Sequence, residues 1–312
     1  MTAQTWIDAT RDMLLTDYVE EHATLAALLN GTDTVSTVSF LYPAAVVPGV
    51  VPGVVIESGT ELMYVYSVTT AGLATVQRGF RGSTTASHAA GDVVTVNPKF
   101  PAYKILSELN NDLADLASPA NGLYQMASAE FTFNSSQDGY DLAGVTGDVL
   151  SVYQVTWSET GAETAEPLIN NWSLRRTRNT TDFPSGYALV LHDDAESGRT
   201  VRVLYKTSFT ALTDSTTALS TVGLPSSAYD LPAVGAALRL MATRPVRREF
   251  LDEQGSSREA QEVPPGAIEG SMRDLRQLRQ NRVAAEAARL DAAYPTVWQR
   301  AGGVSRLLGS VT

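Results

Sequence analysis

The chain has 312 residues, 44% of them hydrophobic, no cysteine and a formal net charge of −11. That length can bury a substantial core and sets two domains as the prior, while the missing cysteines exclude disulfides, thiolate metal sites and cysteine nucleophiles. No apolar run approaches the roughly 20 residues of a membrane span, the start MTAQTWIDATRD lacks a signal-peptide pattern, and the expectation is a protein made in a cytoplasm with no membrane partner.

Charge is unevenly distributed. Residues 1–174 carry 5 Lys/Arg and 19 Asp/Glu, a balance of −14, whereas residues 175–312 carry 18 and 15, a balance of +3. A protein that grips duplex DNA would concentrate basic residues into a footprint, which this pattern does not do.

In chain order, Trp6, Ile7, Ala9, Thr10, Met13, Leu14 and Leu15 space like one face of a helix, continued or restarted through Leu25, Ala26, Leu28 and Leu29 up to Asn30-Gly31. A tandem Val-Pro-Gly-Val follows at 47–50 and 51–54, where each Pro-Gly suits a type II turn and the whole reads as a springy loop. From Val54 to Val96 the alternation is that of strands: Leu62, Tyr64, Tyr66; Leu73, Thr75, Gln77; Val93, Thr95, Asn97. Tyr103, Ile105, Leu106, Leu109, Leu113 and Leu116 return to helical spacing, with Glu108, Asp112 and Asp115 expected on the outer side.

Residues 129–210 read as a β domain of five or six strands, a sandwich or open barrel. Within it Tyr187, Leu189 and Leu191 are expected to pair across a hairpin with Val201, Val203 and Tyr205, and Gln137-Asp138-Gly139-Tyr140 signals another turn. Asp230 then caps a helix beginning Leu231-Pro232, and 249–265 reads as a polar loop. A long helix is expected from Gly266 to Pro295, with Ile268, Met272, Leu275, Leu278, Val283, Ala287, Leu290 and Tyr294 on its apolar side. Arg273, Arg276, Arg279, Arg282 and Arg289 give its other face a basic character, against four acids. The fold class read from these elements is α+β: a helical body with a small N-terminal β module, a central antiparallel β-sandwich or open barrel, and a long C-terminal helix. The boundaries are 1–45 helices, 46–98 β module, 99–128 helix and linker, 129–210 β domain, 211–295 closing helices and 296–312 tail.

Residues that carry chemistry are sparse. His22, His88 and His192 have no metal-ligand spacing, and no nucleophile elbow, phosphate loop or dinucleotide fingerprint is present, so no catalytic residue, metal or cofactor is expected. His192-Asp193-Asp194 falls at an expected turn, where aspartates bond their own backbone. Arg175-Arg176-Thr177-Arg178, after Trp172, is the best anion-facing cluster, read as a strand end or turn with solvated charges.

The string from Val76 to Val93 contains Arg78-Gly79, then Gly82-Ser83-Thr84-Thr85-Ala86, then His88-Ala89-Ala90-Gly91. It resembles a string of neck, tail and baseplate proteins of tailed bacteriophages, and the resemblance implies structure: Arg78 and His88 tie a glycine-rich loop back onto its strand. Together with Leu106–Leu113, Tyr229–Val234 and Glu286–Pro295, the order of elements resembles a head-to-tail adaptor of those phages. That resemblance implies a virion neck protein and a ring of about twelve copies of itself, closed by a heterologous contact. It also implies a portal protein above, tail or stopper proteins below, and DNA passing without sequence specificity through an acidic channel. The inter-subunit residues expected are Arg273, Arg276, Arg279 and Arg282 against Glu108, Asp112 and Asp115. The apolar tail supplies the expected portal contacts, Trp298, Arg300, Arg306, Leu307 and Leu308. The alternatives are a tail terminator, baseplate or other tail-associated structural protein, and, third, a virion-bound carbohydrate-active enzyme.

Overall fold

The computed structural model describes residues 1–15, 20–137, 139–142, 148–158, 166–176, 178–192, 197–243 and 267–295. The chain divides into two compact units, one made of residues 1–115 and 211–284, the other of 116–210 and the residues from 285 onward. No described helix is long and apolar enough to cross a membrane.

The first unit is built around a seven-stranded sheet, antiparallel throughout. Its strands are β1 (Glu21–Leu25), β2 (Val35–Val38), β3 (Phe40–Tyr42), β4 (Val55–Ser58), β5 (Glu61–Val68), β6 (Ala74–Gln77) and β7 (Val93–Val96). Their order is β2-β6-β5-β4-β7-β1-β3. The two edge strands are consecutive in the chain, separated only by Ser39, so the sheet curls into a half-barrel with both edges at the ends of one bent segment. Its inside is filled by Ala23, Leu25, Val38, Phe40, Ile56, Met63, Val65, Ala74, Val76, Val94 and Val96.

Three helices of this unit accompany the sheet. α1 (Ala3–Leu14) lies against α3 (Leu231–Thr243), with Trp6 edge-on to Tyr229 at 5.7 Å and Trp6, Ile7 and Thr10 buried. α2 (Ala102–Leu116) starts where Glu57 of β4 receives the Ala102 N–H at 2.6 Å and pairs with Arg11 of α1, so one buried carboxylate ties two helices to the sheet. α4 (Ala267–Ala293) supplies residues to both units.

The second unit has two three-stranded sheets. One is ordered β10 (Val149–Ser158), β13 (Thr200–Thr207), β8 (Gln125–Thr132), and the other β11 (Trp172–Arg175), β12 (Ala188–Leu191), β9 (Tyr140–Asp141). Side chains of both meet in a shared core of Phe133, Tyr140, Val155, Trp157, Ile169, Leu189, Val201, Val203 and Tyr205. The end of α4 belongs here, where Tyr294 meets Tyr153 edge-on at 5.9 Å and the Tyr153 hydroxyl donates to the Pro295 carbonyl.

Several expectations are corrected. The helical body is overturned: the described residues form thirteen strands and four helices, and the architecture is β-rich with a half-barrel. The second N-terminal helix is absent, because Leu25 ends β1 and the apolar residues from 25 to 29 alternate sides of a sheet and its turn, Leu25 and Leu29 buried and Leu28 exposed. The Val-Pro-Gly-Val pair does form two turns, Val50 N–H to Val47 O and Val54 N–H to Val51 O. Only Gly53 takes the positive φ of a type II turn, and Val47 and Val50 are buried in the half-barrel core, so the segment is a plug rather than a spring. Tyr187–Leu191 and Val201–Tyr205 do not form a hairpin, since β12 and β13 lie in different sheets. The polar loop at 249–265 and the tail at 296–312, with Trp298, Arg300, Arg306, Leu307 and Leu308, lie outside the described residues.

Candidate functional site

The most completely built polar site is in the half-barrel. Glu61 stands at the first position of β5, after the turn at Gly59, and its side chain is fully buried. Arg78, just beyond β6, approaches it with Nε and Nη2 at 2.7 Å each, a bidentate pair. Gly79 and Ala86 add backbone N–H donors at 3.1 and 3.0 Å, and His88 Nε2 lies 2.9 Å away. Arg78 also donates to the carbonyls of Asn30 and Ala86. Burial alone would raise the Glu61 carboxyl, but hydrogen bonds from His88, Arg78 and the two backbone amides outweigh it and hold its pKa at about 2. The loop from Gly79 to His88 is thus clasped from both ends onto one carboxylate of the neighbouring strand. Gly79 itself takes φ 62, a left-handed turn that a glycine adopts without strain.

A second cluster joins α2, α3 and α4 within the first unit. Asp112, only 1% exposed, accepts from Arg279 at 2.7 Å, and Arg279 also reaches Asp115 at 3.1 Å. Arg239 of α3 stands 3.8 Å from each carboxylate. Desolvation raises the Asp112 carboxyl to about 6, and Asp115 adds to it, against the opposing pull of Arg279 and Arg239. Gly235 makes the packing possible, because a Cβ there would overlap the Asp112 carboxylate. Glu108, one turn earlier, pairs with Lys104 at 2.8 Å and accepts from Asn111. The expectation that Glu108 and Asp112 lie on the outer side of their helix is therefore corrected: both are buried, because α2 is covered on that side.

The inter-subunit candidates separate into two groups. Arg279, Arg282, Asp112 and Asp115 are engaged within one subunit, Arg282 gripping both oxygens of Asp230 at 3.1 Å. That grip occupies the Asp230 carboxylate expected to cap α3. Arg273 and Arg276 are exposed, and neither has an ion-pair partner among the described residues. On another face of α4, Leu278, expected on the apolar side, is 53% exposed.

The remaining candidates are dispersed. His22 Nδ1 lies 3.2 Å from Thr95 Oγ1, and His192 Nε2 lies 3.2 Å from Ser173 Oγ, while Asp193 and Asp194 lie outside the described residues. No cluster of metal-ligating side chains is found among the described residues. Sequence reasoning found Arg78 and His88 but missed Glu61 between them. The one available signal was an acid opening the strand Glu61–Val68, whose next residues are Leu-Met-Tyr-Val-Tyr. No protein-family model matches this sequence, and no curated protein is significantly similar to it.

Proposed function

We propose that the chain is a structural subunit of a tailed-bacteriophage virion, a head-to-tail adaptor in the neck that closes into a ring of about twelve copies, joins the portal to the tail or next ring, and surrounds the DNA path. The observation that carries the reading is the clasp on Glu61. The segment resembling neck, tail and baseplate proteins commits its arginine and its histidine to an internal carboxylate, as an architectural element does, rather than presenting them to a substrate.

Two features support assembly. Arg273 and Arg276, one turn apart on α4, are exposed and have no ion-pair partner among the described residues, and the chain's first 174 residues carry a surplus of acid for them to meet on the next copy. A ring places different flanks of identical copies together, so unlike charges on separate flanks favour closure. Exposed pairs contribute only about 0–1 kcal/mol each and so set register more than strength. Acidic walls also suit a passage for DNA, because each phosphate neutralised by a basic residue would hold the strand.

A second reading, a tail terminator or baseplate subunit, is favoured by the β-rich first unit, since the motif-bearing module makes up much of its mass and the helical body expected of an adaptor is replaced by a half-barrel. The test common to both is assembly. Arg273→Glu with Arg276→Glu should lower the fraction of protein in the ring at low salt, read by light scattering after size exclusion, and leave the subunit folded. Unchanged assembly would remove α4 from the interface. Binding to purified portal then separates the two readings, being expected of the adaptor alone.

A further inference from the structure

The outer face of the β11-β12-β9 sheet carries a cavity of about 500 Å³ that the assembly role does not use. Its floor is apolar: Ala188 and Val190 of β12, with Phe133 and the ring of Phe183. Gly139 packs against that ring, a Cβ built there lying 3.5 Å from Phe183 Cζ. Its polar lining is Arg175, Arg178, His192, Ser135 and Gln137, with the Ser135 hydroxyl 2.8 Å from Ser197 Oγ and His192 Nε2 3.2 Å from Ser173 Oγ.

The charge of this rim is distinctive. Arg175 ends β11, and Arg178 follows it after two residues, its backbone N–H fixed on the Gly186 carbonyl. Neither guanidinium has a hydrogen-bond or ion-pair partner among the described residues. No described acid lines the cavity; Asp141 Oδ1 accepts from Ser185 N and Oγ, and Asp182 from Asn179. Arg176 differs from both, donating to the Leu150 carbonyl instead of lining the cavity. Two arginines converging on one hollow repel each other, and an anion between them relieves that while making charge-assisted hydrogen bonds.

We propose that this cavity binds an anionic saccharide, with the carboxylate held by Arg175 and Arg178, one face of the sugar ring on Phe183, and ring hydroxyls bonded by Ser135 and Gln137. An aromatic face beside amide and hydroxyl groups suits a ring that is apolar on one side and hydroxylated at its edge, and the volume lies in the range of small-ligand sites. The site is independent of the neck or tail assignment and would give such a subunit a hold on an acidic surface polymer.

The full-length protein tests this by saturation-transfer NMR with glucuronate, using glucose, inorganic phosphate and adenosine monophosphate as comparators. Glucuronate should bind, with glucose and phosphate each about tenfold weaker or more, since a charge-assisted contact of this kind is worth about tenfold or more. Arg175→Ala with Arg178→Ala should lose at least that factor, and Phe183→Leu should weaken glucuronate while leaving the circular dichroism spectrum unchanged. No glucuronate binding, equal binding of glucose or phosphate, a preference for the nucleotide, or unaltered affinity in the arginine variant would overturn the proposal.

Discussion

A carboxylate without access to water needs donors on every side, and Glu61 has five hydrogen bonds converging on its two oxygens. Removing its charge would leave Arg78 buried and unpaired, so Glu61→Gln should destabilise the protein by about 3–5 kcal/mol in denaturant unfolding. A loss below 1 kcal/mol would mean that the clasp is incidental. Because the folded pKa is depressed to about 2 from an ordinary 4.5, the stabilisation is complete above the ordinary value and lost as pH falls toward 2. Asp112 behaves oppositely. Its carboxyl is raised to about 6 from an ordinary 3.8, so its contribution is complete below 3.8 and lost as pH rises through 6. Relative to Asp112→Asn, the wild-type chain should therefore lose stability between pH 4 and pH 7 when both are unfolded in urea; a flat or rising difference would contradict the assignment.

Among the elements, α2, α3 and α4 meet where Gly235 lets α3 approach Asp112. Gly235→Ala should raise helix propensity by about 1 kcal/mol in an isolated helix, yet here it should cost about 1–3 kcal/mol through overpacking. A stabilised variant, by thermal unfolding, would show that this contact is looser than described. Helix α2 was legible from an unbroken helical period, and β5, β6 and β7 from alternation, although the pairing of β5 with β6 shifts register between Val65 and Ser67. The alternating set Leu73, Thr75 and Gln77 lies opposite the core, which Ala74 and Val76 fill, so alternation alone left the buried face of β6 undecided. In strand β10 the core residues Val149, Val155 and Trp157 are odd-numbered while the partly buried Val152 is even, because the register shifts between Val149 and Ser151 and again between Val152 and Gln154. Residues 21–29 misread as helix because Leu25, Leu28 and Leu29 also match a helical spacing, and only pairing with β7 and β3, distant in sequence, decides for strand. At the sites, Arg78 and His88 were visible through their glycine-rich surroundings, whereas the burial of Asp112 depended on a glycine more than 120 residues away in sequence and had no local trace.

The whole molecule comprises a half-barrel stiffened by a buried ion pair, a second β unit and a helix that keeps arginines and a leucine exposed. The acidic surplus of 1–174 and the slight basic surplus of 175–312 are both distributed over the two units, and the exposed Arg273 and Arg276 are the basic groups proposed for a repeating head-to-tail contact. That assembly is the central claim, and native mass measurement of the purified chain tests it most directly, alone and with portal protein added. A closed species of about twelve subunits that takes up portal as one complex is expected; a monomer at all concentrations, with no portal-bound species, would contradict the adaptor assignment.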